Sequence, residues 1–118
     1  PMIMSNRQQT EYYQFITPGD TVFKSKDFSH ALGISRVSFA PAELLYSMLG
    51  THIGAAPILS TLLDCKNRVQ IVFDNDVATQ QWYGCSDGTT TGYLKIATEY
   101  IINTFLLFTK HTPKIITV

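Results

Sequence analysis

Hydrophobic positions follow two regimes along this chain. Up to residue 40 they cluster without a period. Tyr12, Tyr13, Phe15 and Ile16 stand together before the turn signal Thr17-Pro18-Gly19-Asp20, and Phe28, Leu32, Ile34, Val37 and Phe39 scatter around Gly33. Thr21–Lys26 alternates weakly, as a short strand would. This stretch reads as loops, short strands and one helical turn, held together by aromatic packing.

Beyond residue 40 the periods are clear. Pro41 suits a first helical position, and Leu44, Leu45, Met48 and Leu49 then share one helix face before Gly50 ends it. Pro57 opens a second helix with Ile58, Leu59, Leu62 and Leu63 on one side, finishing near Asp64-Cys65. In Arg68–Asp74 the residues Val69, Ile71 and Phe73 alternate as a strand. Thr79–Tyr83 and Tyr93–Thr98 are further strand candidates, separated by the loop Gly84–Gly88, which would give a meander or an interrupted hairpin. Ile101, Ile102, Phe105 and Leu106 fit a helix ending near Lys110-His111, and Lys114–Val118 reads as a terminal strand or a cut. The sum is a single α+β domain over residues 1–118. It should hold a small antiparallel sheet of three to five strands with two or three helices packed on one face. Residues 1–40 would form an irregular aromatic-rich region and 41–118 a regular one.

Composition narrows the function classes. Of the 118 residues, 45% are hydrophobic, 12% aromatic and only 15% charged, with nine basic residues against nine acidic ones. That is too apolar for a disordered chain. It also lacks the cationic excess of a protein that binds nucleic acid by neutralising phosphates, so no nucleic-acid partner is expected. Two cysteines, Cys65 and Cys85, are too few for a disulfide scaffold. The start, Pro1–Arg7, has no basic region followed by an apolar core, and the apolar run Tyr100–Phe108 is about half a membrane span. A cytoplasmic protein with no membrane partner is expected, export without a signal aside. Low net charge with many aromatics favours contact with another protein or a second copy of the chain.

Candidate chemistry is sparse. His30, His52 and His111 are far apart, and no close metal-ligand pair or phosphate-binding glycine motif occurs, so neither metal nor cofactor is expected. Cys85 and Asp87, in a glycine-bounded loop, are the available catalytic candidates should a histidine approach them. Asp74 and Asp76 flank Asn75 at a strand end, where they could converge on a ligand but more simply cap a turn. Gln81, Trp82 and Tyr83 form the expected contact surface, because Trp and Tyr bury a large area behind a polar tip.

Leu49-Gly50-Thr51-His52-Ile53-Gly54, Ile58-Leu59, Leu62-Leu63 and Val69-Gln70-Ile71 together resemble the entry to bacterial effector- and toxin-type zinc metallopeptidase domains. Gly92–Ile96 is similar to their hairpin strand, and Pro113–Val118 to the lead-in of their zinc helix. The resemblance spans residues 44–118 but lacks the His-Glu-x-x-His that would supply zinc ligands and base, so it assigns no ligand here. The expected function is a non-catalytic protein-interaction domain, of a bacterial effector or toxin–immunity system. The alternative is a hydrolase or a fragment of a zinc metallopeptidase-like domain.

Overall fold

A computed structural model describes residues 2–18, 23–40, 43, 58, 64, 68–86 and 92–118. Strand β1 (Met2–Asn6) turns back into β2 (Tyr12–Ile16), the two pairing antiparallel with Met4 opposite Tyr13. Asn6 closes this turn. Its side-chain oxygen accepts from the backbone N–H groups of Thr10 (2.8 Å) and Glu11 (3.1 Å). Helix α1 (Ser25–Leu32) follows, and then β3 (Val37–Phe39) pairs antiparallel with β1. Gly33 ends α1 at φ 67°, a left-handed conformation that suits glycine, and its N–H donates to the His30 carbonyl at 3.1 Å.

Strand β4 (Val69–Asp74) lies parallel to β2, with Tyr12 beside Val69 and Ile16 beside Phe73. It runs into the short helix α2 (Asn75–Ala78). Strands β5 (Trp82–Ser86) and β6 (Tyr93–Ala97) form a separate antiparallel hairpin. A continuous helical rod comes next: α3 (Thr98–Tyr100), a π-helical turn Ile101–Phe105, and α4 (Leu106–Phe108). The wider π turn carries Leu106 round to the side of Ile101, and both are fully buried in one core. Strand β7 (Lys114–Ile116) then pairs parallel with β4, completing a five-stranded sheet in the order β3-β1-β2-β4-β7.

The α+β class and the strand count are as expected, while the sheet is mixed and covered on both faces. One face packs Ile3, Tyr12, Ile16, Val69, Ile71 and Phe73 against Ile101, Leu106 and Tyr83. The other packs Met4, Tyr13, Phe15, Val72 and Ile116 against Phe28 of α1. Double coverage explains the sequence pattern. A strand buried on both sides has no polar face, so Tyr12–Ile16 shows a run rather than an alternation. Residues 1–40, read as loops, short strands and one helical turn, supply three of the five strands and helix α1. Ser25 and Lys26, read as the end of a strand, open α1. Thr79–Gln81 precede β5 rather than forming it, and β4 belongs to the main sheet and not to a meander with β5 and β6. The helix expected over Pro41–Gly50 lies outside the described residues, as does most of the one after Pro57. Among the described residues no helix is long and apolar enough to cross a membrane.

Candidate functional site

Parallel strands end at a common edge, and in open sheets ligands bind outside such carboxyl ends. Here Ile16 of β2 and Phe73 of β4 are register partners, and the chain departs from both just beyond them. A groove of about 490 Å³ opens at this edge, between Ile16, Thr17 and Pro18 on one wall and α2 with the start of β5 on the other. Its polar lining comes from Thr17, Asp76, Thr79 and Gln80, and Trp82, Tyr83 and Gly84 complete it.

The two aspartates divide their work. Asp74 is buried and caps α2, its Oδ1 accepting from the Asp76 N–H at 3.0 Å. Its other oxygen accepts from the Thr17 hydroxyl at 3.5 Å. Asp76 is exposed and lines the groove. The Thr79 hydroxyl is engaged too, donating to the Asn75 carbonyl at 2.9 Å. Tyr83 is buried, meeting Phe73 edge-on with ring centroids 6.4 Å apart. Trp82 stays 49% exposed, and the Lys95 ammonium sits 4.9 Å from its ring centroid. This is an open, partly apolar cleft whose carboxylate, among the described residues, is Asp76, suited to holding a small polar substrate beside it.

Of the residues singled out in the sequence, Trp82 and Tyr83 line this groove, and Gln81 is exposed next to them. Cys85 pairs through its backbone with Leu94 inside β5, and so belongs to a strand and not to a loop. Asp87 and Cys65 lie outside the described residues. Among the described residues no three His, Cys, Asp or Glu side chains converge as a metal site.

A second cleft, of about 350 Å³, lies at the opposite edge of the sheet. Its polar groups are largely committed to one another. Arg68 stacks 5.3 Å from the Tyr12 ring centroid, the Tyr13 hydroxyl donates to Glu11 at 3.0 Å, and Gln70 donates to the Thr112 carbonyl at 2.8 Å. Sequence reasoning also missed the buried pair Asp64–His111, 2.9 Å apart, with Thr109 on the far ring nitrogen at 2.8 Å. The order hydroxyl–imidazole–carboxylate imitates a nucleophilic triad, but His111 and Asp64 are 1% and 4% exposed. The pair is a structural staple. No local sequence signal could have found it, since its members are 47 positions apart.

The family model of the aminoacyl-tRNA editing domain matches residues 2–104. Solved structures share the fold. The hypothetical protein APE2540 superposes with a TM-score of 0.72 at 16% identity, over 98% of this chain and 70% of that one. A scaffold for computationally grafted linear epitopes gives 0.72 at 11%, over 99% and 68%. A candidate trans-editing enzyme for prolyl tRNA synthetase gives 0.71 at 14%, over 99% and 68%. No curated protein matches the chain.

These matches correct the sequence-based expectations. The metallopeptidase resemblance fails because a Val-x-Ile strand and a terminal apolar segment are generic. Here Val69–Ile71 pairs parallel with β2, and Lys114–Ile116 pairs with the rest of β4 as a sheet strand. The expectation of a non-catalytic protein-interaction domain of an effector or toxin system falls with it, as does a partner limited to another protein or a second copy. Excluding nucleic acid was also mistaken. Zero net charge means no overall cationic excess, but a nucleic acid can be held by stacking and local cations, which a charge total does not reveal. With 2–104 matched, most of the described fold included, the chain belongs to the aminoacyl-tRNA editing domain family.

Proposed function

We propose that this chain hydrolyses the ester joining a wrongly attached amino acid to the 3′ end of a tRNA, and that it does so in the groove beside Asp76. The observation carrying this reading is the coincidence of the family match with an open cleft at the carboxyl ends of β2 and β4. The Thr79 hydroxyl is committed to the Asn75 carbonyl, and the Asp74 carboxylate 3.5 Å from the Thr17 hydroxyl is buried as the cap of α2, so the reading takes water as the nucleophile. Asp76 takes a proton from that water as its oxygen attacks the ester carbonyl carbon, while the Gln80 amide donates to the carbonyl oxygen. The tetrahedral intermediate collapses with cleavage of the bond to the ribose oxygen, which recovers the proton. The products are a free amino acid and a tRNA with a free terminal hydroxyl.

Discrimination would come from the size of the cleft, bounded by Ile16, Val77 and the buried Tyr83. The structurally similar candidate trans-editing enzyme for prolyl tRNA synthetase makes proline-accepting tRNA charged with another amino acid the first substrate to try. Aminoacyl-tRNA is consumed in the cytoplasm, so the reading carries a cytoplasmic location with it. The test is release of amino acid from a panel of correctly and incorrectly charged tRNAs. Faster release from one mischarged species than from its correctly charged counterpart is expected. Release no faster than the spontaneous rate across the panel would overturn the proposal.

A further inference from the structure

Trp82 is the only tryptophan in the chain, and half of its surface remains in solvent at the rim of the groove. Its position is fixed. Trp82 pairs with Ala97 across the hairpin, and the Thr98 N–H donates to the neighbouring Gln81 carbonyl at 3.1 Å. Lys95, opposite Gly84 in the same ladder, brings its ammonium over the ring at 4.9 Å. An aromatic ring with a cation over it is a combination that holds unpaired nucleotides: the base takes over the ring face, and the displaced cation turns to the phosphate. The cleft on the other side of Trp82 is lined by Glu99, whose charge disfavours a phosphate there and leaves the Lys95 side for the backbone.

We infer that Trp82 and Lys95 form a platform for the unpaired 3′ end of tRNA, stacking a terminal base so that the ester reaches Asp76. The inference rests on the editing reading for its choice of ligand. Trp82 acts here as a positioning residue, one of the local contacts on which a chain of zero net charge can hold a nucleic acid.

The single tryptophan reports on its own occupancy. Its emission is followed while the full chain is titrated with uncharged tRNA, with a short hairpin RNA carrying an unpaired 3′ tail, and with the same hairpin ended blunt. Saturable quenching by the first two and none by the third is expected. In deacylation assays Trp82→Ala should raise KM about tenfold with little change in kcat, and Trp82→Phe should restore most of the loss. Lys95→Gln should weaken tRNA binding and lower the slope of log affinity against log salt by about one. Equal quenching by the blunt hairpin, or an unchanged KM in Trp82→Ala, would overturn the platform. Quenching without any deacylation would uphold the platform and sink the editing reading, and deacylation without quenching would do the reverse.

Discussion

The Asp64 carboxylate and the His111 ring meet at 2.9 Å across 47 positions of sequence, and both are buried. Asp64 also accepts from the N–H groups of Arg68 at 3.0 Å and Val69 at 2.8 Å. One side chain thus ties the entry of β4 to the segment that leads from the helical rod into β7.

Removing one member should leave the other buried without its counterpart. Asp64→Ala is expected to cost about 3–5 kcal/mol in urea unfolding. Replacing both Asp64 and His111 by apolar residues should cost less than the two single losses added together. Additive losses would show that the two groups are not coupled.

Tyr13 and Glu11 give the fold an alkaline limit. Burial and then the hydrogen bond to Glu11 push the Tyr13 hydroxyl from 10.0 up to about 12. The folded state therefore keeps this proton when the unfolded chain has lost it. The contribution is complete below pH 10 and is lost as pH rises towards 12, amounting to about 2–3 kcal/mol over that window. Tyr13 should ionise late in an ultraviolet titration of the six tyrosines, and Tyr13→Phe should flatten the alkaline fall in stability. A wild-type fall no steeper than that of Tyr13→Phe would contradict this.

Phe28 anchors α1 to the sheet. It is fully buried, with ring centroids of Phe15 and Tyr13 at 4.9 and 6.0 Å. Phe28→Ala should cost about 3–5 kcal/mol in thermal or urea unfolding. A cost below about 1 kcal/mol would mean that α1 does not depend on this contact.

Sequence patterning located what alternates. Val69–Asp74 and Tyr93–Ala97 are strands, signalled in the first by Val69, Ile71 and Phe73 alternating onto one core, and Ile101–Leu106 is helical as its spacing implied. In residues 1–40 it gave short strands without locating β1 and β2, whose runs such as Tyr12–Ile16 are buried on both faces and show no period. Parallel pairing of β2 with β4 joins residues more than fifty apart, and nothing local encodes it. The groove was half legible. Trp82, Tyr83 and the aspartate pair at a strand end were all visible, and the capping role fell to Asp74 while Asp76 faced the cleft. Their convergence with Thr17 depends on that same distant pairing.

On the proposed reading, the groove at the carboxyl ends of β2 and β4 performs ester hydrolysis with Asp76 as its base. Single-turnover deacylation of a mischarged tRNA by Asp76→Asn tests it most directly, because Asp76 is exposed and its loss leaves the Asp74 cap intact. The account predicts a rate lower by about 100-fold or more with an unchanged urea midpoint. An Asp76→Asn protein that deacylates as fast as the wild type would contradict it.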